Sequence, residues 1–166
     1  MKVKALLLSL LMTLLIFTPG CLDDDEQDAG VAVPSFSLTA DDGEVYSSEN
    51  LLGSAYILHF SASWCNNCRA TMHAVSNQLN DSMYIVVSTD SSDSSKLSDW
   101  HLQVNDSKED SVVSAPFSVS VELSNALEIN NTPTLVLIDQ DGLVVGRHAG
   151  PLVGQQEIDS FWAKLD

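Results

Sequence analysis

Ser61-Ala62-Ser63-Trp64-Cys65-Asn66-Asn67-Cys68-Arg69 is the stretch on which the reading of this chain turns. Before it stands Tyr56-Ile57-Leu58-His59-Phe60, an apolar run that reads as a strand, and after it Ala70 to Leu79 can continue as a helix. Two cysteines two residues apart, where a strand gives way to a helix, have a physical logic. The free N–H groups of the helix start and a dipole worth about half a positive charge lie beside the first sulfur. That field favours thiolate, and in such settings a free-cysteine pKa of ~8.5 falls to roughly 3.5–7.5. Cys65, nearer the helix start, is the expected attacking sulfur, and Cys68, one turn further in, the resolving one.

Working outward, Met83-Tyr84-Ile85-Val86-Val87-Ser88 repeats the pattern of a strand covered on both faces. With the cysteine-bearing helix between them, the two runs predict a parallel strand–helix–strand unit. Lys96 to Leu102 predicts a helix with Leu97 and Trp100 inward, and Glu122 to Ile129 a shorter one. The residues between, Val104 to Val121, have a polar loop at Asn105 to Asp110 and then no clear period. Leu135 to Asp139 reads as a third central strand, Gln140-Asp141-Gly142 as a tight turn, and Leu143 to His148 as an antiparallel return. The last helix, Gln155 to Lys164, carries Ile158, Phe161 and Trp162 on one face, with Leu165 following in phase. At the other end, Val31 to Leu52 reads as strand, turn, strand about Asp41-Asp42-Gly43, then a short helical turn ending at Gly53.

Trp-Cys-x-x-Cys after an apolar strand resembles the thioredoxin superfamily, and in particular its membrane-anchored TlpA-like thiol-disulfide oxidoreductases. Pro34-Ser35-Phe36 before the first hairpin and Thr132-Pro133 before the third strand match that resemblance. It covers about Pro34 to Leu165 and implies an α/β thioredoxin-like fold, a central mixed β-sheet flanked by helices, with an N-terminal β-hairpin. It also implies a cis bond before Pro133, facing the two sulfurs, and a docking surface of Trp64, Thr132 and Pro133 on which a substrate peptide pairs as an added strand. His59 stands where thioredoxins proper keep a buried acid. Two readings of it are open: a proton relay near neutral pH, or a hydrogen-bonded residue of the core. The sequence departs from the anchored branch at Thr71 and His73, where a glutamate and a proline are usual, and in its central Asn66-Asn67. Arg69 either favours thiolate by its charge or is an ordinary arginine of the helix surface.

The first residues read as an export leader. Lys2 and Lys4 precede an apolar run from Ala5 to Phe17, shorter than the ~20 residues of a comfortable membrane span. Thr18-Pro19-Gly20-Cys21 resembles a lipobox, which makes residues 1–21 a signal peptide and Cys21 a site of lipidation; a short anchor, or cleavage with Cys21 incidental, is the plainer reading. Residues 22–33, opening on Asp23-Asp24-Asp25-Glu26, read as an acidic flexible tether, and residues 34–166 as the thioredoxin-like domain.

The formal charge of −16 excludes nucleic acid as a partner, for want of cations to replace counterions. The expected partners are protein thiols and disulfides, and a membrane through a lipid on Cys21; the chain is expected to be an extracytoplasmic monomer. No cofactor is implied, since the sulfurs carry the electrons. A zinc site at Cys65 and Cys68 lacks the second cysteine pair that four-coordination would want. A purely structural disulfide closing so short a loop would stabilise little. Two alternatives to an oxidoreductase stay open at this level: a copper chaperone, whose relatives space their cysteines by three, and a non-catalytic binding module of the same fold.

Overall fold

The computed structural model describes residues 30–79, 84–106 and 111–165. The leader, Cys21, most of the acidic stretch, Met83 and the middle of the polar loop after Asn105 lie outside the described residues.

A six-stranded mixed sheet organises the chain. In sequence order its strands are β1 (Val31–Ala32), β4 (Tyr56–Ser61), β5 (Tyr84–Ser88), β6 (Phe117–Val119), β7 (Thr134–Ile138) and β8 (Leu143–Ala149), while β2 (Ser37–Thr39) and β3 (Val45–Ser47) form a separate hairpin. The spatial order is β1-β8-β7-β4-β5-β6. β4, β5 and β6 run parallel, and β7, β8 and β1 are antiparallel to their neighbours. The helices are α1 (Asn66–Gln78), α2 (Leu97–Asn105), α3 (Val121–Ala126) and α4 (Gln155–Trp162).

The continuous apolar runs of β4, β5 and β7 follow from a sheet buried on both faces. Ile57, Tyr84, Val86, Leu135 and Leu137 point to one side and join Met72 and Val75 of α1, Trp100 and Val104 of α2, and Ile158 and Phe161 of α4. Leu58, Phe60, Ile85, Val87, Val136 and Ile138 point to the other and meet Phe36 and Leu38 of the hairpin and Leu123 and Leu127 of the α3 region. Each such side chain stabilises the fold by about 1.5–3 kcal/mol when fully buried, so the sheet is the stable platform on which the site is mounted.

Several boundaries differ from the sequence reading. The sheet begins at Val31, inside the stretch assigned to a tether, because Gly30, Val31 and Ala32 find an open edge on β8. Residues 48–53 form the expected short turn, closing at Gly53 with φ +88°. α2 extends to Asn105, and α3 stops at Ala126, with Glu128 in the left-handed region at φ +54°. β6, in the stretch without a clear period, was not foreseen. The hairpin, the parallel β4–α1–β5 unit, β7, its antiparallel return and the final helix stand where the apolar patterns put them.

Candidate active site

α1 starts at Asn66 with Cys65 as its N-cap, at φ −84° and ψ 98°. A cap normally needs an oxygen acceptor for the first free amides. Here the Cys65 sulfur takes that place, accepting from the Cys68 N–H at 3.3 Å. Cys65 and Cys68 are joined as a disulfide, with their Cα atoms 5.4 Å apart. The two sulfurs are not equivalent: Cys65 is half-buried, while Cys68 is fully enclosed in the core beside Met72. A visitor reaches Cys65 first.

Thr132–Pro133 is a cis peptide. Thr134 pairs with Phe60 across β7 and β4, and continuing that register brings Pro133 level with Ser61, where the loop to Cys65 begins. Pro133 is buried, Thr132 is half-buried, and the Pro133 carbonyl accepts from Gly150 N–H at 2.8 Å. Trp64 is 66% exposed, the most open aromatic ring among the described residues. Its indole N–H donates to Asp90 at 3.4 Å. Asp90 in turn caps the 3₁₀ turn at Ser91–Asp93 by accepting from Ser92 N–H. The hydrogen bonds from Ser92 hold the Asp90 carboxyl below its ordinary range, with a smaller contribution from the Trp64 indole.

His59 lies on β4 in phase with Ile57, on the face that α1 covers, and is fully buried. Its Nδ1 shares a hydrogen bond with the Tyr84 hydroxyl. Its Nε2 and the hydroxyl of Ser61, two residues on, have no hydrogen-bond partner among the described residues. Burial pushes the His59 pKa down to about 3, so the imidazole is neutral near pH 7.

Two of the departures from the anchored branch, Thr71 and His73, have structural uses. Thr71 is buried; its hydroxyl accepts from Leu152 N–H at 3.1 Å, tying α1 to the segment before α4. His73 is also buried; Nε2 faces the Val104 carbonyl at 3.1 Å and Nδ1 the Ser111 carbonyl at 3.0 Å, so α1 anchors both ends of the polar loop. Arg69 is half-buried on α1. No group of three or more His, Cys, Asp or Glu side chains suited to a metal occurs among the described residues, and none of their helices is long and apolar enough to cross a membrane.

The sequence reading missed Asp93. Its carboxylate is buried and accepts from Ser63 N–H at 3.2 Å, Ser63 Oγ at 2.8 Å and Ser88 Oγ at 2.5 Å. A carboxylate soon after a buried strand, in a run of serines, was the available signal; serine-rich segments read first as loops.

A mixed sheet of this order, with a Cys-x-x-Cys pair at the start of the first long helix and a cis proline before the third central strand, defines the thioredoxin fold. Comparisons agree. Residues 50–165 match the family model of the thioredoxin-like domain. The chain is 31% identical over 147 residues to the thiol:disulfide interchange protein DsbE of Escherichia coli K12, covering 81% of this chain and 74% of that protein. Among solved structures it resembles a putative thiol:disulfide interchange protein DsbE from Chlorobium tepidum, with TM-score 0.63, 24% identity, and 84% and 99% of the two chains covered. The exposed lipoprotein thioredoxin of Streptococcus pneumoniae is similar, with TM-score 0.63, 22% identity, and 80% and 100% covered. The chain therefore belongs to the thioredoxin-like family, and it is a thiol-disulfide oxidoreductase.

Proposed function

We propose that this chain is an extracytoplasmic thiol-disulfide oxidoreductase of the TlpA-like kind, exchanging disulfides with proteins through Cys65 and Cys68. The observation that carries the reading is the asymmetry of the pair: a half-buried sulfur at the cap of α1 and an enclosed one a turn behind it. In the reduced protein the Cys65 thiolate attacks one sulfur of a substrate disulfide and expels the other as thiolate. The Cys68 thiolate then attacks the Cys65 sulfur and releases the second substrate sulfur. The enzyme pair is oxidised by two electrons and the substrate reduced by two, and the same steps run backwards. The free amides at the start of α1 stabilise the Cys65 thiolate in either direction.

Trp64, Thr132 and Pro133 form the docking surface in this reading. The main chain of half-buried Thr132, two residues before β7, receives the substrate peptide as a short added strand, and the exposed Trp64 ring covers its other side. His59 is assigned to the core rather than to proton transfer, because a neutral imidazole with so low a pKa takes no proton from a thiol near neutral pH.

Attachment to a membrane through Cys21 belongs to the same proposal. It is supported by the leader's composition and by the kinds of proteins the chain resembles, an interchange protein and an exposed lipoprotein.

One experiment in cells addresses both parts. A Cys68→Ser variant is expected to accumulate mixed disulfides between Cys65 and substrate proteins, recovered with the membrane fraction. Adding Cys65→Ser should abolish them, and adding Cys21→Ala should move them to the soluble extracytoplasmic fraction. Adducts that persist without Cys65 would overturn the assignment of the nucleophile. Adducts that stay with the membrane without Cys21 would overturn the anchor.

A further inference from the structure

The loop that delivers Cys65 is fastened along its length to the segment after β5. Thr89 N–H donates to the Ser61 carbonyl at 2.9 Å, Ser63 is held by Asp93, and Trp64 reaches Asp90. Of these anchors Asp93 is unlike the rest. It is a carboxylate 3% exposed, and its three contacts are all donors directed at its oxygens, two of them from the residue two places before Cys65. Hydrogen bonds from neutral N–H and O–H groups satisfy a carboxylate without cancelling its charge.

We infer that Asp93 is a positioning residue that also sets the redox balance of the pair: a fixed, buried negative charge beside the Cys65 loop that opposes the field of α1 and makes the disulfide harder to reduce. The inference rests on the reading of Cys65 as the attacking sulfur. A like charge nearby disfavours thiolate. A less favoured thiolate is a less stable reduced form, and stabilising the reduced form is what makes a pair of this kind oxidising. Asp90 carries the same sign, but it lies at the surface where salt and water screen it, whereas a buried charge keeps its field. Arg69 and the α1 amides act in the opposite sense. The protein thus has a chemically simple means of leaning toward reduction of its substrates.

The test is the equilibrium between the full-length protein and glutathione at pH 8. Asp93→Asn keeps the side chain's shape and one acceptor oxygen and removes the charge. It is expected to favour the reduced dithiol by roughly tenfold, about 30 mV more oxidising, and to lower the Cys65 pKa followed by thiolate absorbance. Asp93→Ser also removes the charge and serves as the second variant should Asn disturb the fold. Ser63→Ala removes one of the hydrogen bonds but leaves the charge, and its potential should match the parent's. A purely structural role predicts the reverse: lost stability in Ser63→Ala and Asp93→Ser, and no shift in either potential. A folded Asp93→Asn or Asp93→Ser protein with the parent's potential overturns the inference. Alkylation of the reduced parent, mapped by mass spectrometry, keeps the two readings apart. If Cys68 reacts before Cys65 the proposed function fails; if Cys65 reacts first and the potentials do not move, only the role of Asp93 fails.

Discussion

At the scale of single residues, His59 shows most directly what burial does. The imidazole has lost its water, shares one hydrogen bond with the Tyr84 hydroxyl, and has a pKa pushed down to about 3. In the unfolded chain the same group titrates near ~6.5. Above that pH both states hold it neutral and it adds no pH dependence. As the pH falls below ~6.5 the unfolded chain takes up a proton that the folded one refuses, so stability declines by up to about 1.4 kcal/mol per pH unit until the folded pKa is reached. Between pH 6.5 and 5, before most carboxylates titrate, His59 alone should account for roughly 2 kcal/mol. Denaturant unfolding of the parent and of His59→Leu at both pH values checks this. The parent should lose about that much more than the variant, and equal losses would mean that the histidine is hydrated or charged in the fold. The Cys65–Cys68 pairing and the cis bond before Pro133 were legible in the sequence, because each belongs to a local pattern: a spacing after an adjacent strand, a dipeptide before a strand. Asp93 was not, since its meaning lies in Ser63, 30 residues earlier in the chain.

At the scale of elements, legibility follows how much of an element's hydrogen bonding is local. β4, β5 and β7 are runs of five or six buried residues and announce themselves. β6 has three residues, and its start is fixed from far away: Phe117 N–H donates to Asp41 Oδ1 at 2.8 Å, across 76 positions. The other Asp41 oxygen meets His101 Nδ1 of α2 at 2.7 Å, and the His101 ring stacks on Phe117 with centroids 4.3 Å apart. One side chain in the turn of the β2–β3 hairpin therefore holds both the outer strand of the sheet and a helix. Asp41→Ala should leave a buried amide and an imidazole without their partner, at a cost of roughly 2–4 kcal/mol. Hydrogen exchange should be faster in β6 and α2, with β7 and β4 in the middle of the sheet little changed. A loss below ~1 kcal/mol would mean that water or a neighbouring acceptor replaces the carboxylate.

At the scale of the whole molecule, fold and charge pull in different directions. Two apolar layers, one on each face of a mixed sheet, favour the compact state. Against them stands an acidic excess of 23 Asp and Glu over 7 Lys and Arg. Two of the seven, Lys2 and Lys4, lie in the stretch proposed as an export leader, and a chain processed there would be more acidic still. Folding concentrates these like charges, while the unfolded chain spreads them out, so their repulsion acts selectively on the native state. Screening should relieve it: raising sodium chloride from about 0.01 to about 1 M shortens the Debye length from roughly 30 to 3 Å. The thermal midpoint of the oxidised protein is expected to rise steadily over that range at pH 7. At pH 4, where many of the carboxylates are neutral, the same titration should have a weaker effect. A midpoint indifferent to salt at pH 7 would mean that the acids are spaced or paired so that their repulsion is already relieved. The size of the salt response thus measures how much of the stability supplied by the two apolar layers is spent holding an acidic surface together.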